Sequence, residues 1–439
     1  MKKRLAALLL CITMAAGLLA GCGKGNTGSQ DTGGSGSVDA EGKKQGGELT
    51  AMCVGTESDT YLPAYKAIVD EFNKTNEYGV TVNMGFYENE QYKTKLTTLM
   101  ASNAVPDIFF TWELAYLEPF VSGGKVTDIT SYLEGDQEWK NSFSGGTLDL
   151  LSYDDKIYAI PTQKSLCVMF YNKKIFKDNN IAVPTTYEDF LKACDTLKTA
   201  GVIPMAMCGT DAWIPAQFVQ QISNGIAGMD LYNGISEGTR KWNDAAHVEA
   251  AGELQKMVDA GYFQNGYIGM SPEESTALFT SGKAAMYFMG AWDSSKVSEA
   301  LKEDGGAFIL PAKNPEYNNV SVGSVDTCFA VSANCKNKDA AVAFLKFWTS
   351  QVNEEKLLYD QGRMPAGNFE IDSSKLNSLF AEVVNLSKQQ KGLTPWWDRA
   401  FGAGEGVEFN NTCVAVCGGE EPQKAFDSLQ QFAEDNADR

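Results

Sequence analysis

The chain has 439 residues, 44% hydrophobic and 21% charged, the balance of a soluble globular protein, and more than one hydrophobic core usually serves. Its net charge of −19, or −22 once the three cations Lys2, Lys3 and Arg4 are removed, would be repelled by nucleic acid and by anionic lipid headgroups, so neither is expected as a partner. No stretch reaches the ~20 consecutive apolar residues that a membrane-crossing helix needs.

The N-terminus reads as an export signal. Lys2, Lys3 and Arg4 precede a short apolar run, Leu5 to Leu19, which ends in Leu19-Ala20-Gly21-Cys22. That ending resembles the lipobox of bacterial lipoproteins, which implies cleavage after residue 21 and lipidation of Cys22. Residues 23–47 hold no aromatic residue and one apolar β-branched residue, Val38, so they cannot offset their ordering entropy and should form a flexible linker. A linker of this kind spans roughly 25–30 Å, enough for a folded body to range over a membrane surface. Gly23 stands where an aspartate would retain a lipoprotein at the inner membrane of a two-membrane cell.

From Glu48 onward, strands and helices alternate. Leu49–Val54 is a short apolar run bounded by glycines, and Leu62, Tyr65, Ile68, Val69 and Phe72 recur at helical spacing up to Asn76. Val80–Met84 alternates as a strand, Tyr92, Leu96, Leu99 and Met100 mark a helix, and Pro106–Phe110 is a third strand. A βαβαβ order predicts a parallel sheet with helices on its faces and ligands at the carboxyl ends of its strands. Glu57, Ser58 and Asp59 follow the first strand, Glu88 the second, and Thr111, Trp112 and Glu113 the third, so these residues should face a ligand.

The second half repeats the style. Thr185-Thr186-Tyr187-Glu188 and Ser271-Pro272-Glu273-Glu274 both fit capping boxes, and their helices should stop near Gly201 and Gly282. Ile203–Met207 and Ala284–Phe288 read as strands of a second α/β unit. Without Cys11 and Cys22 eight cysteines remain, in apolar settings and with no Cys-x-x-Cys pair; free core thiols are expected rather than disulfides. Cys413 and Cys417 could share a helix face, but two thiols without a histidine make a poor metal site.

Four stretches together resemble the sugar-type extracellular solute-binding proteins of bacterial ABC importers, of the maltose- and raffinose-binding kind. They are Pro106–Trp112, Asp155–Pro161, Phe170–Phe176 with Pro184–Phe190, and Phe279–Met286 through Gly290-Ala291-Trp292. Tyr187 departs from the tryptophan common there, a conservative change. The resemblance implies an α/β, two-lobe periplasmic-binding-protein-like fold with three interlobe crossings and a ligand cleft between the lobes. The crossings should fall near Pro161–Gln163, near Gly323–Thr327, and between about Ala366 and Pro395. The expected organisation is signal 1–21, lipidated cysteine and linker 22–47, lobe one 48–161 plus 326–366, and lobe two 162–325 plus 367–439. Ligand would draw the lobes together, and membrane permease subunits would recognise the closed form. Because such a subunit must stay beside its permease, the resemblance, with Gly23 in place of a retaining aspartate, implies a Gram-positive-type cell.

A sugar ring offers an apolar C–H face and a rim of hydroxyls, so its site needs flat aromatic platforms beside carboxylates, amides or arginine. Trp112, Trp213, Trp292, Trp396 and Trp397 lie at predicted strand ends or loops. The resemblance implies stacking on sugar for the first three; of Trp396 and Trp397, one should face the cleft and the other pack. Trp348 is expected in the core, Trp139 and Trp242 in surface-helix packing. Glu57, Asp211, Asp293, Asp326 and Arg363 are the polar candidates, each with a plain alternative as an exposed charge.

One histidine, His247, sits in a helix-like stretch where packing or surface exposure explains it, and no hydrolase, zincin or P-loop pattern appears. No enzyme, cofactor or metal is expected. The expected ligand is a neutral oligosaccharide of two to several units bound by a monomer; a glycoside-cleaving lipoprotein and a binder of a non-sugar solute are the alternatives.

Overall fold

The computed structural model describes residues 46–436. The signal, Cys22 and nearly all of the linker lie outside the described residues. Among the described residues no helix is long and apolar enough to cross a membrane.

Twelve strands organise the body: β1 Gly47–Val54, β2 Val80–Tyr87, β3 Ile108–Thr111, β4 Ser152–Tyr153, β5 Lys156–Ile157, β6 Ala159–Asn172, β7 Ile203–Ala206, β8 Ala284–Gly290, β9 Gly305–Phe308, β10 Val320–Val331, β11 Met364–Pro365 and β12 Gly392–Thr394. The main sheet runs β2-β1-β3-β10-β6-β8-β7. β1 pairs in parallel with β2 and β3 as the βαβαβ order requires, and β7 pairs in parallel with β8. The helix Leu62–Thr75 buries the five residues whose spacing predicted it. At the open edge β2 is shielded locally: the Asn73 amide pairs with the backbone N–H and C=O of Val82, and Asn76 with those of Val80.

Two hydrophobic cores divide the body into lobes. One contains Leu49–Ile160 residues with Val325–Leu357 residues; the other contains Leu166–Val322 residues with Leu358–Ala433 residues. Strands β6 and β10 pass through both, side by side and antiparallel, with Ser165 opposite Ser324 and Gly323 opposite Leu166. A β-carbon on Gly323 would strike the Ser165 carbonyl, so glycine permits that close approach. The ladder loses register between Val325 and Thr327, a bulge that leaves Asp326 unpaired in the strand and free to be aimed elsewhere.

Two local expectations differ from what forms. The helix Tyr187–Thr199 is capped by Thr186, whose hydroxyl accepts from Asp189 N; Thr185 instead donates to the Asp189 carboxylate, so the cap falls one residue later than the Thr185–Glu188 box. Trp139 packs inward from the short, largely exposed helix Gln137–Asn141, as expected, whereas Trp242 is buried in the turn before the helix Ala245–Asp259 and not on a helix. Each indole N–H finds a partner far along the chain, Thr349 Oγ1 at 3.0 Å and Glu405 Oε2 at 2.6 Å, which local periodicity does not reveal. The Ser271 capping box forms with Pro272 in the first turn, and the cysteines from Cys53 to Cys417 are buried and unpaired.

Candidate ligand cleft

Local chemistry places Trp292. β8 ends at Gly290, and the Trp292 indole lies so close against Gly290 that a β-carbon there would overlap the ring. Asp293 precedes the helix Ser294–Leu301 without capping it, so its carboxylate takes the Tyr287 hydroxyl at 3.0 Å and Lys296 at 3.7 Å. Trp213 opens the helix Trp213–Ala227 and donates its indole N–H to Asp211 at 3.3 Å.

These residues converge. The Trp213 and Trp292 ring centres are 6.1 Å apart, and those of Trp292 and Trp396 are 5.4 Å apart. The Arg399 guanidinium lies 4.4 Å above Trp396 and 5.6 Å from the Trp112 ring, linking buried indoles that belong to opposite cores. Its ends reach Glu113 at 3.9 Å and Asp326 at 3.7 Å. Asp326 also meets Arg363 at 3.8 Å. A second cross-lobe contact joins Lys296 to Asp59 at 3.7 Å. Lys93, paired with Glu90 at 2.8 Å, stands 5.4 Å from the Trp112 ring.

Of the residues expected from sequence, Trp112, Asp211, Trp213, Trp292, Asp293, Asp326, Arg363 and Trp396 are thus brought into one connected set. Glu57 is not: it is exposed and pairs with Lys66 at 2.8 Å. Trp397 turns into the core against His247, at 4.4 Å between ring centres, while Trp396 lies beside Trp292. Arg363 is buried, donating to Gln163 at 2.9 Å and Tyr65 at 3.2 Å and lying 4.4 Å over the Tyr61 ring.

Sequence reasoning named Glu113 only among the strand-end residues expected to face a ligand and passed over Arg399 as more than a neighbour of Trp396 and Trp397; it missed Lys296 and the buried glutamines of the Trp213–Ala227 helix. Gln217 accepts the Trp396 indole N–H at 3.1 Å, and Gln220 donates to the Pro395 carbonyl at 2.7 Å, fixing that loop. Gln217, Gln220 and Gln221 in the otherwise apolar run from Trp213 to Ile222 were the available signal.

The electrostatics follow burial. Desolvation pushes the Glu113 carboxyl up to about 7 against the pull of Arg399. Desolvation, with Glu90 and Glu88 nearby, also raises Asp211 above the usual carboxylate range, while Asp293 is the main influence holding Lys296 above its ordinary value. His247, buried beside Trp242, is pushed down to about 4 and stays neutral. Among the described residues no group of three or more His, Cys, Asp or Glu could hold a metal ion.

Residues 57–355 match the family model described as bacterial extracellular solute-binding protein. The multiple sugar-binding protein of Streptococcus mutans is 24% identical over 349 residues, 74% of this chain and 81% of that protein. A structure from work on xylan utilization by the thermophilic bacterium Caldanaerobius polysaccharolyticus superposes with a TM-score of 0.81 at 30% identity, covering 88% of this chain and 99% of that one. A chitin oligosaccharide binding protein also superposes at 0.81, with 25% identity over 88% and 98% of the two chains. Two lobes threaded by shared strands, side chains of both lobes meeting between them, and a family model spanning most of the body agree: the chain belongs to the bacterial extracellular solute-binding protein family.

Proposed function

We propose that this protein captures a neutral oligosaccharide of two to several units between its lobes and delivers it, uncleaved, to the permease subunits of an ABC importer. The observation that carries this reading is the run of indoles Trp213, Trp292 and Trp396, continued to Trp112 through Arg399. Successive platforms suit successive sugar rings, whose C–H faces pack on aromatic surface. The charges favour a neutral ligand. Each cation gathered here already faces a carboxylate: Lys93 with Glu90, Lys296 with Asp59 and Asp293, Arg363 with Asp326, and Arg399 with Glu113 and Asp326. None is left over to draw an anionic sugar. The names of the sugar-binding and chitin oligosaccharide-binding relatives point the same way.

Purified mature protein incubated with radiolabelled oligosaccharides should retain label stoichiometrically and release no shortened product; turnover would make it a glycosidase. Trp292→Ala should weaken binding roughly ten- to a hundredfold, about 1–3 kcal/mol, in calorimetric titration. Thermal unfolding of the free variant should stay close to that of the parent, because Trp292 is only part-buried. Unchanged affinity would reject the stacking role.

We further propose a monomer tethered through lipid on Cys22 to the outer face of the membrane of a Gram-positive-type cell. The Leu-Ala-Gly-Cys ending and the linker behind it support this. Cys22→Ala should move the protein from the membrane fraction to the medium, and an unchanged membrane fraction would end the idea.

A further inference from the structure

Buried side-chain polar atoms without a hydrogen-bond partner are few in native proteins, because each forfeits its interaction with water. Among the described residues there are nine, and six belong to one place: both oxygens of Glu113, Arg399 Nη1, Ser165 Oγ, Ser324 Oγ and Gln163 Nε2. Ser165 and Ser324 are directly opposite in the β6–β10 ladder, so their side chains share a face of the sheet, and Gln163 lies two residues along the same strand. Glu113 follows β3, the neighbour of β10. The Ser324 hydroxyl is near enough to Glu113 to favour its charged form, yet outside hydrogen-bond geometry.

The ion pairs around this cluster are also long. Arg399 stands 3.9 Å from Glu113 and 3.7 Å from Asp326, and Asp326 stands 3.8 Å from Arg363. All exceed the reach of a direct hydrogen bond. A ligand hydroxyl, which both donates and accepts, satisfies such a set: it donates to Glu113 while accepting from Arg399, and a neighbouring hydroxyl exchanges bonds with the two serines.

We propose that the two interlobe strands are themselves part of the binding site. Ser165 and Ser324, with Glu113 and Arg399, form its polar floor and hydrogen-bond adjacent hydroxyls of the sugar unit that enters deepest. This rests on the saccharide reading above and adds what it lacks, a place where binding acts directly on the strands that connect the lobes. Hydroxyls bridging Ser165, Ser324, Glu113 and Arg399 would tie strands of both lobes together, so occupancy of the floor would favour closure.

The test uses Ser165→Ala, Ser324→Ala, their double variant and Glu113→Gln, each in the full mature protein. Thermal unfolding is measured without ligand, and binding is titrated with raffinose, xylotriose and chitotriose. Groups kept for a ligand are left unpaired in the free protein, so the serine variants should unfold at the same temperature as the parent or about 1–3 °C higher. The double variant should bind the preferred trisaccharide about tenfold more weakly or worse, as expected for two lost hydrogen bonds. Unfolding at a lower temperature, with affinity intact, would mean the hydroxyls serve the strands alone and would overturn the proposal. If the parent binds none of the saccharides, the sugar reading fails separately. A rise in unfolding temperature then still supports a ligand-facing floor, and a fall rejects it.

Discussion

Arg363→Ala is expected to destabilise the free protein by about 3–5 kcal/mol, the cost of removing one partner from a buried, hydrogen-bonded charge cluster. Arg363 is buried, and its donors go to Gln163 of β6 and to Tyr65, with its guanidinium over Tyr61 and 3.8 Å from Asp326 on the bulge of β10. Its removal leaves Asp326 facing Arg399 alone and strips a hydrogen bond from Gln163. Arg363→Lys should recover little, because an ammonium is a point charge and cannot reproduce the planar fork that serves several partners at once. Equilibrium denaturation measures the loss. Had Arg363 been a ligand donor at the cleft surface, the same change would instead lower affinity while barely shifting stability, so titration of the variant separates the two roles.

Between pH 6.5 and 8.5 the free protein should lose about 2–3 kcal/mol of stability. Two buried carboxyls cause it. Burial pushes Glu113 up to about 7 and Glu354 up to about 8, the latter despite the Gly367 amide at 3.1 Å and the charge of Lys164. Both folded values lie above the ordinary value of 4.5, so the folded state holds protons that the unfolded state has released. Their contribution is fully present below about pH 4.5 and disappears as pH rises through 7 and then 8. His247, held down at about 4, acts in the opposite sense, adding stability as pH rises from 4 to 6.5, so the range above 6.5 isolates the carboxyls. Lys164, lowered by its own burial, also works against the trend as its range is approached. Glu354→Gln mimics the protonated acid; it should flatten most of the slope and stabilise the protein at pH 8.5. A flat wild-type profile, or an unaltered slope in the variant, would show that these carboxyls stay charged in the fold.

Much of the architecture is local and therefore readable. The spacing of Leu62, Tyr65, Ile68, Val69 and Phe72, the alternation of Val80–Met84 and the Ser271-Pro272-Glu273-Glu274 cap each carry their own physical instruction, and each forms where it was read. The places where the chain passes between lobes came from family resemblance, since no periodicity marks them. Trp292 could be singled out because it leaves an apolar strand into Asp293-Ser294-Ser295, a change of environment written in neighbouring residues.

Only the tertiary structure decided which polar side chains come together. Ser165 and Ser324 meet because two distant strands pair in one register, and a one-residue slip would have put them on opposite faces. Asp326 reaches two arginines because a bulge removes it from the ladder. Trp397 and Trp396 are adjacent in sequence, yet one packs on His247 and the other on Trp292, an outcome fixed by Gln217 and Gln220 from another helix. The burial of Trp139 and Trp242 depends on distant groups too: Thr349 and Glu405, which receive their indole N–H groups, lie far along the chain. Hydrophobic spacing acts over a few residues and so survives in a sequence, whereas burial, pairing and shifted pKa values depend on which distant groups the fold brings within a few ångströms.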